Sequence, residues 1–129
     1  MSRKSKGINA ERDLVNLFRK NNIVAIRVAG SGSTKYDSAD IVAGNKNVKL
    51  AIECKTSADD KKYLSNDSID QIRNFSNSFG AVPILAVKFD REKWGFFNLG
   101  RIKTTEAGFV ISKEDTGMSF EDILQLINE

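Results

Sequence analysis

Between Ala39 and Lys55 the chain sets an aspartate, a glutamate and a lysine into one hairpin-like stretch. Ala39–Ala43 is a short β-prone run, Gly44-Asn45-Lys46-Asn47 has turn chemistry, and Val48–Lys55 is a second run. Alternation puts Val48, Leu50, Ile52 and Cys54 on one face of that second run. Lys49, Ala51, Glu53 and Lys55 take the other. A turn centred on Asn45-Lys46 pairs Ala43 with Val48 and sets Asp40 opposite Ala51. Asp40 then shares the Glu53/Lys55 face, one diagonal step of roughly 7–8 Å from Glu53.

A third carboxylate enters from upstream. Residues 8–20 (INAERDLVNLFRK) have helical periodicity, with Ala10, Leu14, Val15, Leu17 and Phe18 on one arc and polar residues on the other. Glu11 lands inside the apolar arc, where a lone ionised carboxylate is costly. It reads either as a first-turn glutamate favoured by the helix dipole and still wet, or as a ligand aimed inward. The two hairpin carboxylates weigh toward the ligand. Three carboxylates and no histidine make an all-oxygen set, which selects a hard divalent ion, Mg²⁺ above all. Such an ion lowers the pKa of a bound water, and a lysine beside it stabilises negative charge developing on phosphate. The combination suits phosphodiester hydrolysis. The plainer reading of Glu53 and Lys55 is a surface ion pair contributing at most ~1 kcal/mol. Glu-x-Lys alone carries little weight; an upstream Ala-Asp, a hairpin-sized gap and an apolar residue before the Glu-x-Lys are far more specific.

The elements that must hold these groups are legible in outline. Ile23–Val28 reads as a short strand, and residues 29–38 (AGSGSTKYDS) as a mobile loop just before Asp40. That loop offers Ser31, Ser33, Thr34 and Lys35 as donors to phosphate oxygens, or is a plain connection. A short strand at 62–64 precedes a helix carrying Ile69, Ile72, Phe75 and Phe79, with Ser68-x-x-Gln71 as an opening capping box and Gly80 as its stop. Residues 81–89 (AVPILAVKF) form an apolar run suited to a central strand covered on both faces, and 94–99 the next, outer strand. Phe109–Ser112 is a further short strand, and Ser119-x-x-Asp122 opens a last helix. Trp94, Phe96 and Phe97 are core or dimer interface; as Phe96 and Phe97 are adjacent, one of them is expected to leave the core and favour the interface. The order predicts an α/β sandwich around a mixed sheet.

Composition bounds the function. The chain's 129 residues suit a single domain, residues 1–129, and 40% hydrophobic with 29% charged residues is ordinary for a globular protein. Arg3, Lys4 and Lys6 carry the whole net charge of +3, since the other 17 basic residues are matched by 17 acidic ones. Residues 1–6 therefore read as a flexible basic arm, a nucleic-acid tether or a solubilising tail. One cysteine and no histidine rule out an internal disulfide, the usual Cys/His zinc sites, and Ser-His or Cys-His triads. A lone core-facing cysteine fits a reducing cytoplasm. No run of ~20 apolar residues suggests a membrane span, and no apolar stretch follows the basic residues as in a secretory signal.

These residues resemble a known family. Asp40…Glu53-Cys54-Lys55 resembles the PD-(D/E)XK nuclease signature, with Ala39 where proline is frequent. Lys6-Gly7 followed by Glu11-Arg12, Arg27, and Ser31-Gly32-Ser33 before Asp40 resembles the archaeal Holliday junction resolvases, over about residues 4–89. The resemblance implies a restriction-endonuclease-like mixed β-sheet flanked by α-helices. It implies a homodimer that binds four-way junction DNA and makes paired, symmetric, Mg²⁺-dependent cuts leaving 5′-phosphates. Glu11, Asp40 and Glu53 then correspond to the metal-binding catalytic acids, Lys55 to the catalytic lysine, and Ser31 to a serine near the scissile phosphate. Arg12 and Arg27 match basic positions assigned to DNA phosphates, and Arg3, Lys4, Lys6, Ser33, Lys35, Lys61 and Lys62 complete the expected DNA contacts. Two alternatives remain: another nuclease of this fold acting in restriction or repair, or a DNA-binding module that does not cut.

Overall fold

The structure, a computed structural model, describes residues 2–30 and 35–129. Ser31 and Ser33 lie outside the described residues. A five-stranded sheet runs in the order β1 (Val24–Arg27), β2 (Ile41–Gly44), β3 (Lys49–Ser57), β5 (Val82–Phe89) and β6 (Gly95–Asn98). All its pairings are antiparallel except the central one, β3 with β5. A two-stranded ribbon of β4 (Lys61–Leu64) and β7 (Phe109–Ser112) stands apart from it. The helices are α1 (Arg3–Lys20), α2 (Asn66–Phe79) and α3 (Phe120–Asn128). This is the expected mixed sheet flanked by helices.

Alternating residues of β3 and β5 divide the interior into two cores. Leu50, Ile52, Ile84 and Ala86 face α1 and α3 and meet Leu14, Phe18, Ile123 and Ile127. Ala51, Leu85 and Val87 face α2 and the ribbon and meet Leu64, Ile69, Ile72 and Ile111. Full burial of each large apolar side chain contributes roughly 1.5–3 kcal/mol. Phe96 is completely buried in the first core, and its neighbour Phe97 packs on the second. The adjacent pair divides between the two faces of the sheet, and Phe97, only partly buried, turns away from the core that holds Phe96 and rests on the second one.

Three helix and turn expectations are corrected. α1 begins at Arg3, because the Ser2 hydroxyl accepts from the Ser5 amide at 3.1 Å and caps the helix. Lys6 then bonds Asp90 at 2.7 Å, so residues 3–6 are the first turn of α1 rather than a flexible arm. α2 is capped by Ser65, whose hydroxyl accepts from the Ser68 amide at 3.2 Å; Ser68 lies inside the helix. Gly80 ends that helix at a left-handed φ of 76°. The box of Ser119 and Asp122 opens α3 as read from the sequence.

The β2–β3 register differs as well. Ala43 pairs with Leu50 and Ile41 with Ile52. The Asn45 side-chain oxygen accepts from the amides of Asn47 and Val48, both at 2.8 Å, which widens the turn to four residues. Gly44 enters it at a φ of 147°, where a Cβ would run into the Val48 carbonyl. Slipping the pairing by two residues keeps every side chain on its face and carries Asp40 level with Glu53.

Candidate active site

The acids gather where α1 crosses the far end of the β2–β3 hairpin. Glu11, Leu14 and Phe18 recur at helical spacing on one face of α1. Leu14 and Phe18 are fully buried, and Phe18 packs on Phe120 of α3 at 5.1 Å between ring centroids. That anchorage turns Glu11 inward, leaving its side chain 17% exposed. Asp40 is fixed through its backbone and its carboxylate together. Its amide donates to the Ile52 carbonyl at 2.9 Å, and its Oδ2 accepts from the Cys54 amide at 2.9 Å. Glu53 and Lys55, two apart on β3, share a face, and the Lys55 ammonium lies 3.6 Å from Glu53 Oε1.

Electrostatics couples the group. Burial, then the Asp40 charge, pushes the Glu53 carboxyl up to about 7, although Lys55 pulls it down. The same two causes raise Glu11, with Arg27 opposing them from 3.6 Å. Burial holds the neighbouring Cys54 thiol well above its ordinary value, so it is a protonated core residue and no nucleophile. Among the described residues the carboxylates do not close into a metal-binding group of three. Each instead has a protein partner: Arg27 for Glu11, Lys55 for Glu53, and the Cys54 amide for Asp40. Oxygen donors under mutual repulsion fit a hard divalent cation, whose charge would relieve that repulsion.

The basic residues separate into groups. Arg3, Lys6 and Lys62 line a cavity together with Lys55. Lys4, Arg12 and Lys61 are exposed, and Lys35 stands over the Tyr36 ring at 5.4 Å. Arg27, expected at DNA phosphates, pairs with Glu11 at 3.6 Å. Sequence reasoning missed that pairing, and missed the Cys54 amide as the partner of Asp40. The first joins distant segments and the second is a main-chain group, so no side-chain pattern announces either.

The archaeal Holliday junction resolvase (Hjc) family model matches residues 2–129. The chain is 44% identical over 110 residues to the crossover junction endodeoxyribonuclease Hjc of Archaeoglobus fulgidus, covering 85% of this chain and 81% of that one. It is 37% identical over 108 residues to the enzyme of that name from Methanocaldococcus jannaschii, covering 84% and 77%. The fold superposes on the solved Archaeoglobus fulgidus Hjc, a Holliday junction resolvase, with a TM-score of 0.84 at 37% identity, covering 92% and 98% of the two chains. The chain belongs to the archaeal Holliday junction resolvase family.

Proposed function

We propose that this chain is a structure-selective endonuclease that resolves four-way DNA junctions by divalent-metal-dependent phosphodiester hydrolysis, with Mg²⁺ as the metal. The observation that carries the reading is the convergence of Glu11, Asp40 and Glu53 beside the Lys55 ammonium. The three acids would hold the metal. When bound, it supplies Lewis-acid polarisation of a phosphate oxygen and an acidified water. Asp40 keeps one orientation because its Oδ2 is held by the Cys54 amide. Arg27, 3.6 Å from Glu11, opposes the upward shift that burial and the Asp40 charge impose on its carboxyl. Lys55 is placed to orient the attacking water or to stabilise charge on the phosphate oxygens. Ser31, Ser33, Lys35, Lys4, Arg12, Lys61, Lys62, Arg3 and Lys6 are proposed phosphate contacts.

Paired symmetric cuts leaving 5′-phosphates require two such centres, hence a homodimer. An uncovered apolar face supports this. Val24 and Ile26 on edge strand β1 are 65% and 54% exposed and share a shallow cavity with Val42 and Lys49. Lys49 reaches across to the Phe79 ring at 6.0 Å, so the face continues onto α2. A second copy of the chain is the proposed occupant. No helix among the described residues is long and apolar enough to cross a membrane, and the protein is proposed to work on DNA in the cytoplasm.

Cleavage of a synthetic four-way junction compared with its linear arms tests the reading. Divalent-dependent cutting of the junction alone is the expected result. Asp40→Asn should lower the rate by at least about 10²-fold while junction binding persists. Equal cutting of junction and arms would point to restriction or repair, and a wild type that binds but never cuts, to a binding module.

A further inference from the structure

The centre does not end at Lys55. A cavity of about 350 Å³ adjoins it, lined by Arg3, Lys6 and Gly7 of α1, Lys55, Asp59 and Lys62. Its lining includes four basic residues and one acidic one, and the ammonium of Lys6 is paired with Asp90. Gly7 is the unexplained member. It lies within α1, where only proline is a poorer choice. No steric demand accounts for it, because its backbone is helical and a Cβ there meets no heavy atom within 4 Å. Alanine would fit and would strengthen the helix. Gly7 is one of the residues that line the cavity.

We propose that this cavity seats the phosphodiester adjoining the one that is cut, and that Gly7 is a positioning residue that lets the DNA backbone lie against α1. The inference rests on the endonuclease reading above. It assigns the absence of a side chain a role: a methyl or longer group at this position would occupy the volume the sugar-phosphate needs. Arg3, Lys55 and Lys62 then approach that phosphate from α1, β3 and β4. Lys6 spans the wall between this cavity and Asp90, to which its ammonium is bonded.

The test uses Gly7→Ala and Gly7→Gln in the full chain, with melting and junction affinity measured at several salt concentrations. Both variants should melt at or above wild type, by roughly 2–5 °C, because helix propensity improves. Both should bind junctions more weakly, Gly7→Gln by roughly three- to tenfold or more as one phosphate contact is lost. Although no charge is removed, the slope of log affinity against log salt should fall by about one for Gly7→Gln, as it does for Lys62→Ala. Unchanged affinity and slope in a Gly7→Gln protein that melts normally would overturn the proposal. Should Gly7→Gln melt below wild type, Gly7→Ala decides: weaker binding supports the proposal and unaltered binding overturns it. A wild type that does not bind junctions refutes the functional reading and this inference with it, before any variant is compared.

Discussion

Glu53 is held in the folded protein with its carboxyl shifted from an ordinary 4.5 to about 7, chiefly by burial and next by Asp40. A folded carboxyl that binds its proton more tightly than the unfolded chain adds stability in full below 4.5, and that contribution is lost as pH rises through about 7. Without divalent metal, Glu53→Gln should therefore match wild type near pH 4 and exceed it at pH 8, by roughly 1–3 kcal/mol, after allowance for the remaining solvent contact of the carboxyl. Urea unfolding at the two pH values measures the gap; equal stabilities at pH 8 would show that the site does not strain its own charge. Residue types carried much of this in advance. Glu11 stands out because a carboxylate in an apolar arc demands a reason, and Asp40, Glu53 and Lys55 because alternation sets them on one strand face. The pairing of Arg27 with Glu11 was illegible, because it depends on how β1 lies against α1. No local pattern encodes that.

At the scale of elements, periodicity located the helices and most strands, and capping chemistry set their ends. Ser65 and Ser68 both offer a plausible cap, and only the folded backbone chooses. Ser65→Ala should destabilise by about 1 kcal/mol, the usual cost of a lost cap, and Ser68→Ala by clearly less. Thermal melts of the two variants would expose an inverted assignment. The slip in the β2–β3 pairing had the same origin: a two-residue turn is the default for a hairpin, but Asn45 closes a wider one with its side chain. A slip of two leaves Asp40 on the same face. It changes the distance, since the observed register brings Asp40 level with Glu53. α1 starts earlier than its periodicity predicts because Arg3, Lys4 and Ser5 leave no apolar trace, while Ser2 and the contact from Lys6 to Asp90 act at the helix start.

For the whole molecule, the sheet is wider than the layer that covers it. α2 and the ribbon shield the centre on one side, and the β1 edge extends past them with Val24 and Ile26 in solvent. If a second copy covers this face, Ile26→Glu should convert the protein to a monomer in sedimentation. It should also uncouple the two cuts of a junction, so that singly nicked product accumulates. A variant that remains dimeric would place the interface elsewhere. Amphipathic patterns do not reveal such a face, because Val24 and Ile26 look like any inward strand residues.

Gly44 shows how far the chemistry can depend on a position remote from it. Its backbone angle and the nearby Val48 carbonyl leave no room for any side chain. The strand that leaves this corner reaches Asp40 four residues back, so the corner acts as the zero mark of a ruler. A substitution there would move the mark and, with it, the aspartate's alignment to Glu53. Such a change, filed as a harmless loop variant, should both lower the melting temperature and slow cutting, although it touches none of the acids.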